Sequence, residues 1–242
     1  KLQKIKHGMS RAEIILRGGD STTQTDRSLS KSYDYVRSLY TNFANESDEL
    51  SVGSDSKIAI AGMASVFQAL LGDNIILIDS PIDDNVSTFV ISQILIMASR
   101  DPNKDIRMFI NSPGGSVTSG MAIYDIMNHV SPDVVTCCMG ACSSMAAVLL
   151  AAGTKGKRYA LPNSTVMIHQ PLGGAYGQAS DILIRANEIE KTRANLNRIL
   201  SECTGQSINT ITKDTDRDNF MTAQEAVDYG IVDKILKRNE GV

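Results

Sequence analysis

The sequence predicts an α/β fold built on a mainly parallel sheet, and three observations carry that expectation. Short continuous apolar runs recur at Ile75 to Ile78, Ile106 to Ile110 and Val134 to Met139, as in strands covered on both faces. Each run is followed by a segment long enough for a helix. Connections of that length join parallel strands, whereas antiparallel neighbours need only a tight turn.

The elements follow in order. After Ile75 to Ile78, the segment Asn85 to Arg100 places Val86, Val90, Ile94 and Ala98 about one helical turn apart. The strand Ile106 to Ile110 leads to a helix over Ser119 to His129. The strand Val134 to Met139 leads to a short apolar helix over Ser144 to Ala152. Two short strands, Arg158 to Leu161 and Val166 to His169, flank Pro162-Asn163-Ser164, which has turn chemistry. Gly173 to Gly177 forms a Gly-rich hinge before a long helix from about Ala179 to Glu202. Its stripe of Ile182, Ala186, Ile189, Leu196 and Leu200 suits contact with another subunit. Thr222 and Glu225 have the spacing of a capping box, Gly230 stops the helix that follows, and Ile231 to Ile235 reads as a last strand. Residues 1 to 57 are polar and poor in core formers, and read as a flexible N-terminal extension. Residues 58 to 242 form the folded domain.

Composition narrows the function classes. Among 242 residues, 42% are apolar and 21% charged, with net charge −3; nucleic-acid binding is therefore not favoured. The longest purely apolar stretch, Met145 to Ala152, is too short for a membrane span of about 20 residues. Cys137, Cys138, Cys142 and Cys203 include no CxxC pair, so they read as small buried side chains in a reducing compartment rather than as zinc ligands. The first residue is Lys, as expected of a processed organellar precursor or a shortened chain.

The three histidines make the search for a general base short. His7 lies in the polar extension. His129 ends a helix, where a cation is favourable. His169 ends an apolar strand before Gln170-Pro171, at the carboxyl edge where parallel sheets gather chemistry. Ser144 stands between a strand and an apolar helix, placed either to cap the helix or to attack a carbonyl held by free backbone N–H groups. Ser143 competes for both roles. Asn111-Ser-Pro-Gly-Gly115 is either a tight turn or a loop that aims N–H groups at an oxygen. Asp214, Asp216 and Asp218 are equal candidates to orient the histidine.

These residues carry a resemblance. Ile110-Asn-Ser-Pro-Gly-Gly115, Gly120-Met-Ala-Ile-Tyr-Asp125, Gly140 to Met145 and Ala152-Gly-Thr-Lys-Gly-Lys-Arg158 fall in the order and spacing of the Clp protease proteolytic subunit family, ClpP. Leu161-Pro-Asn-Ser164, Met167-Ile-His-Gln-Pro-Leu-Gly-Gly174, Thr204-Gly-Gln206 and Asp214-Thr-Asp-Arg-Asp218 continue the match. Residues 58 to about 237 resemble this family. The resemblance implies the ClpP/crotonase-type fold with a handle over about 172 to 203. It implies a serine endopeptidase whose triad is Ser144, His169 and Asp218, with the backbone N–H groups of Gly115 and Met145 holding the oxyanion and Asp216 and Arg217 contacting a second ring. It also implies two stacked heptameric rings, homomeric or mixed, that degrade unfolded polypeptides. A partner AAA+ unfoldase would use ATP, and this subunit would need no cofactor and no metal.

The sequence departs from the family at several positions. Ala146 and Thr165 stand where Gly and Arg are common, Cys142 and Ser143 replace alanines before the nucleophile, and Asp79 replaces a Gly. The segment Met63 to Asn74 differs, and the N-terminal extension is longer. Such divergence suits one member of a mixed ring, hence the expectation of a plastid stroma, with a bacterial cytoplasm or mitochondrial matrix as alternatives. The rival readings are a non-catalytic ring subunit and an acyl-CoA hydratase or isomerase on the related crotonase fold.

Overall fold

The computed structural model describes residues 66–242, and the expected extension over residues 1 to 57 lies outside the described residues. The chain enters the sheet through β1 (Ile75–Ile78). It continues through α1 (Asp84–Arg100), β2 (Ile106–Ser112), α2 (Val117–His129), β3 (Val134–Ser143) and α3 (Met145–Ala151). Then follow β4 (Arg158–Ala160), β5 (Thr165–Ile168) and the long α4 (Ala179–Thr204). The chain closes with α5 (Ile208–Asp214), β6 (Asn219–Thr222), α6 (Ala223–Tyr229) and β7 (Lys234–Ile235).

The sheet runs β1-β2-β3-β4-β7 with every neighbour parallel. β3 is long enough to serve two partners on one side. Its first half pairs with β4 at Thr136 to Cys138, and its last three residues pair with β5 at Ala141 to Ser143. The turn after β4 makes this possible, because Leu161 N–H and Ser164 Oγ both donate to the Cys138 carbonyl, at 2.9 and 2.8 Å. β6 then adds to β5 antiparallel. The sheet is thus mainly parallel, as expected, with one antiparallel edge.

α3 is buried at all seven positions. A helix apolar all round belongs at the centre of a core, and Ala146, Ala147, Leu149 and Leu150 are 0% exposed. α4 behaves differently along its length. Residues 179 to 188 are exposed, whereas Leu196, Ile199 and Leu200 are buried against the body. Leu172, Tyr176, Leu183 and Ile184 stand largely exposed around its start.

Two elements are absent from the sequence reading. α5 spans two turns with only Ile211 buried, so it has little apolar periodicity to detect. β6 is four residues with exposed Phe220. Its strand character comes from pairing with β5 rather than from its own composition. The expected last strand, Ile231 to Ile235, shortens to Lys234–Ile235, because Ile231 and Val232 bond back to Ala226 in the cap of α6. The capping box forms as expected, with Thr222 and Glu225 bonding reciprocally and Gly230 closing the helix.

Candidate active site

The β3–α3 junction fixes Ser144. Its backbone sits at φ 57° and ψ −124°, a region that costs a non-glycine residue energy and persists only where surroundings impose it. β5 imposes it, since Ser144 N–H donates to the Met167 carbonyl at 2.8 Å. The serine stands at the N-cap of α3 yet makes no side-chain cap bond. Its Oγ lies instead 2.8 Å from His169 Nε2. Ser143 is the last residue of β3, paired with Met167.

His169 follows directly on β5, and Asp218 directly precedes β6. The antiparallel register pairs Ile168 with Asn219, so His169 and Asp218 face each other one step beyond the strand ends. His169 Nδ1 and Asp218 Oδ1 are 2.8 Å apart. The same junction is clamped by Gln170, whose N–H donates to the Thr215 carbonyl at 2.5 Å and whose Nε2 donates to the Asp216 carbonyl at 2.6 Å. The histidine side chain is 15% exposed and the aspartate 58%.

The other two acids go elsewhere. Asp214 accepts from the Tyr229 hydroxyl at 3.0 Å, and burial, followed by this carboxylate, pushes the Tyr229 phenol up. Asp216 Oδ1 accepts from Arg193 Nη2 at 3.4 Å at the base of α4. Arg217 is 83% exposed and turns back, donating from Nη1 to the Asp216 carbonyl at 2.6 Å. His129 is exposed at the end of α2, and His7 lies outside the described residues.

The loop after β2 closes over the serine. Ile82 forms an isolated parallel bridge with Gly115, bonding to the Gly114 carbonyl and the Ser116 N–H, both at 2.8 Å. In a parallel bridge that pattern turns the N–H of Gly115 itself away from Ile82. Gly114 must be glycine. It sits at φ 90°, and a Cβ there would fall 2.7 Å from Ser144 Cβ and 2.6 Å from the Ser143 carbonyl. Met145 opens α3, so its N–H has no carbonyl one turn earlier to bond. Two backbone donors, at Gly115 and Met145, therefore belong to segments in contact beside the serine hydroxyl.

A small pocket adjoins Ser144 and His169. Its wall includes Val117, Met145, Val148, Ile168, Leu196 and Leu200, with Asn197 as a polar member. Sequence reading assigned Leu196 and Leu200 to a helix stripe and missed Asn197. The available signal was a polar side chain inside that stripe; Asn197 is 5% exposed and accepts from Thr215 Oγ1 at 3.2 Å. The departures sit apart from this wall. Ala146 is 0% exposed in the core, and Thr165 is exposed on β5.

Among the described residues, no His, Cys, Asp or Glu cluster could hold a metal ion. No described helix is long and apolar enough to cross a membrane. Comparison with known families places the same stretch. The Clp protease family model matches residues 60–239, which takes in every element and every site residue above. The chain therefore belongs to the Clp protease family and is a ClpP-type peptidase.

Proposed function

We propose that this chain is a serine endopeptidase that cleaves unfolded polypeptide by acyl transfer at Ser144. The observation that carries the reading is the unbroken chain Ser144 Oγ, His169, Asp218, with both links at 2.8 Å. His169 takes the proton of Ser144 as the hydroxyl oxygen attacks a peptide carbonyl. The negative charge that develops on the carbonyl oxygen is met by the N–H groups of Gly115 and Met145, donors fixed before the reaction begins. Asp218 holds the imidazole in the tautomer that leaves Nε2 free to accept, and stabilises the imidazolium. His169 then protonates the leaving amine, and water repeats the sequence on the acyl-enzyme.

The apolar wall supports this reading over an acyl-CoA hydratase or isomerase, which calls for carboxylates facing the pocket. Family membership supports a ring assembly served by an AAA+ unfoldase that spends the ATP. Asp216, Arg217 and the exposed start of α4 are the surfaces proposed to meet a second ring. A mixed ring in a plastid stroma is the setting proposed for a chain with these departures.

Labelling by a fluorophosphonate tests the reading. Rapid, stoichiometric labelling at Ser144, lost in Ser144→Ala and slowed in His169→Gln, is expected. An assembled ring whose Ser144 stays unlabelled would instead identify a non-catalytic structural subunit.

A further inference from the structure

β3 leaves regular pairing between Cys138 and Cys142. Their partners on β2, Ile110 and Ser112, are two residues apart, whereas the cysteines are four apart. The three residues between them, Met139-Gly140-Ala141, oppose the single Asn111 of β2 and bulge, with Gly140 exposed at φ 74° and Ala141 N–H held by Asn111 Oδ1 at 3.1 Å. Two steps along a strand cover about 6.6 Å. The bulge therefore brings the Cα atoms of the two cysteines near the upper end of the span that a disulfide bridges.

The side chains meet as well. Both cysteines are free and 0% exposed, and their thiols are close enough to bear on one another's proton. Cys138 Sγ otherwise faces the Thr165 carbonyl at 3.8 Å, and Cys142 Sγ the Ile110 carbonyl at 3.3 Å. The neighbouring Cys137 lies on the opposite face of the strand. Within the pair, Cys142 draws the Cys138 thiol down, while burial pushes the Cys142 thiol up.

We propose that Cys138 and Cys142 are a peroxide-oxidisable dithiol, a modification site on the strand that delivers Ser144. The Cys138 thiolate attacks one oxygen of hydrogen peroxide, the O–O bond breaks, and the departing hydroxide leaves as water with the proton Cys138 gave up. The Cys142 thiol attacks the resulting sulfenic sulfur; the S–O bond breaks, the hydroxyl leaves as water with the Cys142 proton, and the S–S bond forms. Two thiols lose two electrons and one peroxide becomes two waters. Peroxide is small and uncharged, and Gly140, between the two cysteines in sequence, stands at the surface.

The consequence for Ser144 rests on the peptidase reading. Closing the bridge draws Cys142 off the Ile110 carbonyl, which leads into the Asn111 to Gly115 loop, and pulls on the strand end two residues before Ser144. Both sides of the candidate oxyanion site shift together.

The test uses the full chain, reduced and then treated with hydrogen peroxide, denatured in an alkylating reagent and mapped by mass. The peptide holding Cys138 and Cys142 should be lighter by two hydrogens with Cys137 alkylated, and dithiothreitol should reverse the change. Cys142→Ala and, separately, Cys138→Ala should abolish the bridge. Fluorophosphonate labelling of the bridged protein should slow about a hundredfold, as for a displacement of about 1 Å, while Cys142→Ala keeps its labelling in peroxide. Full alkylation of all three thiols after peroxide, or a bridge to Cys137, would overturn the proposal. Bridging with no labelling in either redox state would support the dithiol and count against the peptidase reading.

Discussion

Asp233 and Asp218 are both carboxylates that receive a basic side chain from far along the sequence, and they serve opposite ends. Asp233 is bolted in place. Its side chain is 19% exposed and accepts from Gly156 N–H and Arg158 N–H, and from Arg158 Nε and Nη2. Arg158 spends its remaining nitrogen on the carbonyls of Ala151 and Cys203, so the pair joins β4, the ends of α3 and α4, and the approach to β7. Asp218 is 58% exposed and, among the described residues, receives one bond, from His169. A saturated buried pair strongly resists loss of either partner. A carboxylate with spare acceptor capacity at the surface can follow the charge of an imidazole as it changes. Saturation goes with the structural carboxylate, and spare capacity with the one proposed to work in catalysis.

The sharpest way to break that comparison is to neutralise each carboxylate's role in turn. Asp218→Asn should lower kcat by about 10⁴-fold, through the wrong imidazole tautomer, with the unfolding midpoint unmoved. Arg158→Met should cost stability, about 3 kcal/mol in a denaturant titration, because it takes the countercharge and two of four hydrogen bonds from a largely buried carboxylate. The same pair predicts a pH dependence. Burial pushes the Asp233 carboxyl up, but hydrogen bonds and charge from Arg158 outweigh it and leave it below its usual range. Its stabilisation is therefore complete above the ordinary carboxylate range and is lost as pH falls through the depressed value. Arg158→Met should flatten the acid arm of a plot of Tm against pH.

Gly115→Ala comes next in size. A Cβ at φ 151° would run into the Ile82 carbonyl and nitrogen, so the donor beside Ser144 must move. A loss of about 10²–10³ in kcat is expected. Smallest is Thr222→Ala, which removes the Oγ1 acceptor of Glu225 N–H at 3.3 Å and should cost about 1 kcal/mol with activity unchanged.

The same contrast explains what was legible in the sequence. Local chemistry could be read directly. The apolar runs of β1 to β3, the period of α1 and α4, and the Thr222–Glu225 capping box all lie within one element. The histidine beside Ser144 could be narrowed from three candidates by its place at a strand end. The choice among Asp214, Asp216 and Asp218 could not, because the β5–β6 register makes it, and β6 is too short and too exposed to announce itself. There the family resemblance pointed to Asp218, the residue the structure places against His169. The Arg158–Asp233 bolt was invisible for the same reason, since its partners are 75 residues apart. The bulge that brings Cys138 to Cys142 was equally hidden, because only pairing with β2 defines it.

Hydrolysis of a small fluorogenic peptide by the purified chain, beside Ser144→Ala and with particle mass measured in the same samples, tests the central claim most directly. Small peptides need no unfoldase, so only assembly and chemistry are read. The account predicts turnover in a ring-sized particle that Ser144→Ala abolishes without changing the mass. Turnover that survives Ser144→Ala, or a ring-sized parent particle with none, would contradict it.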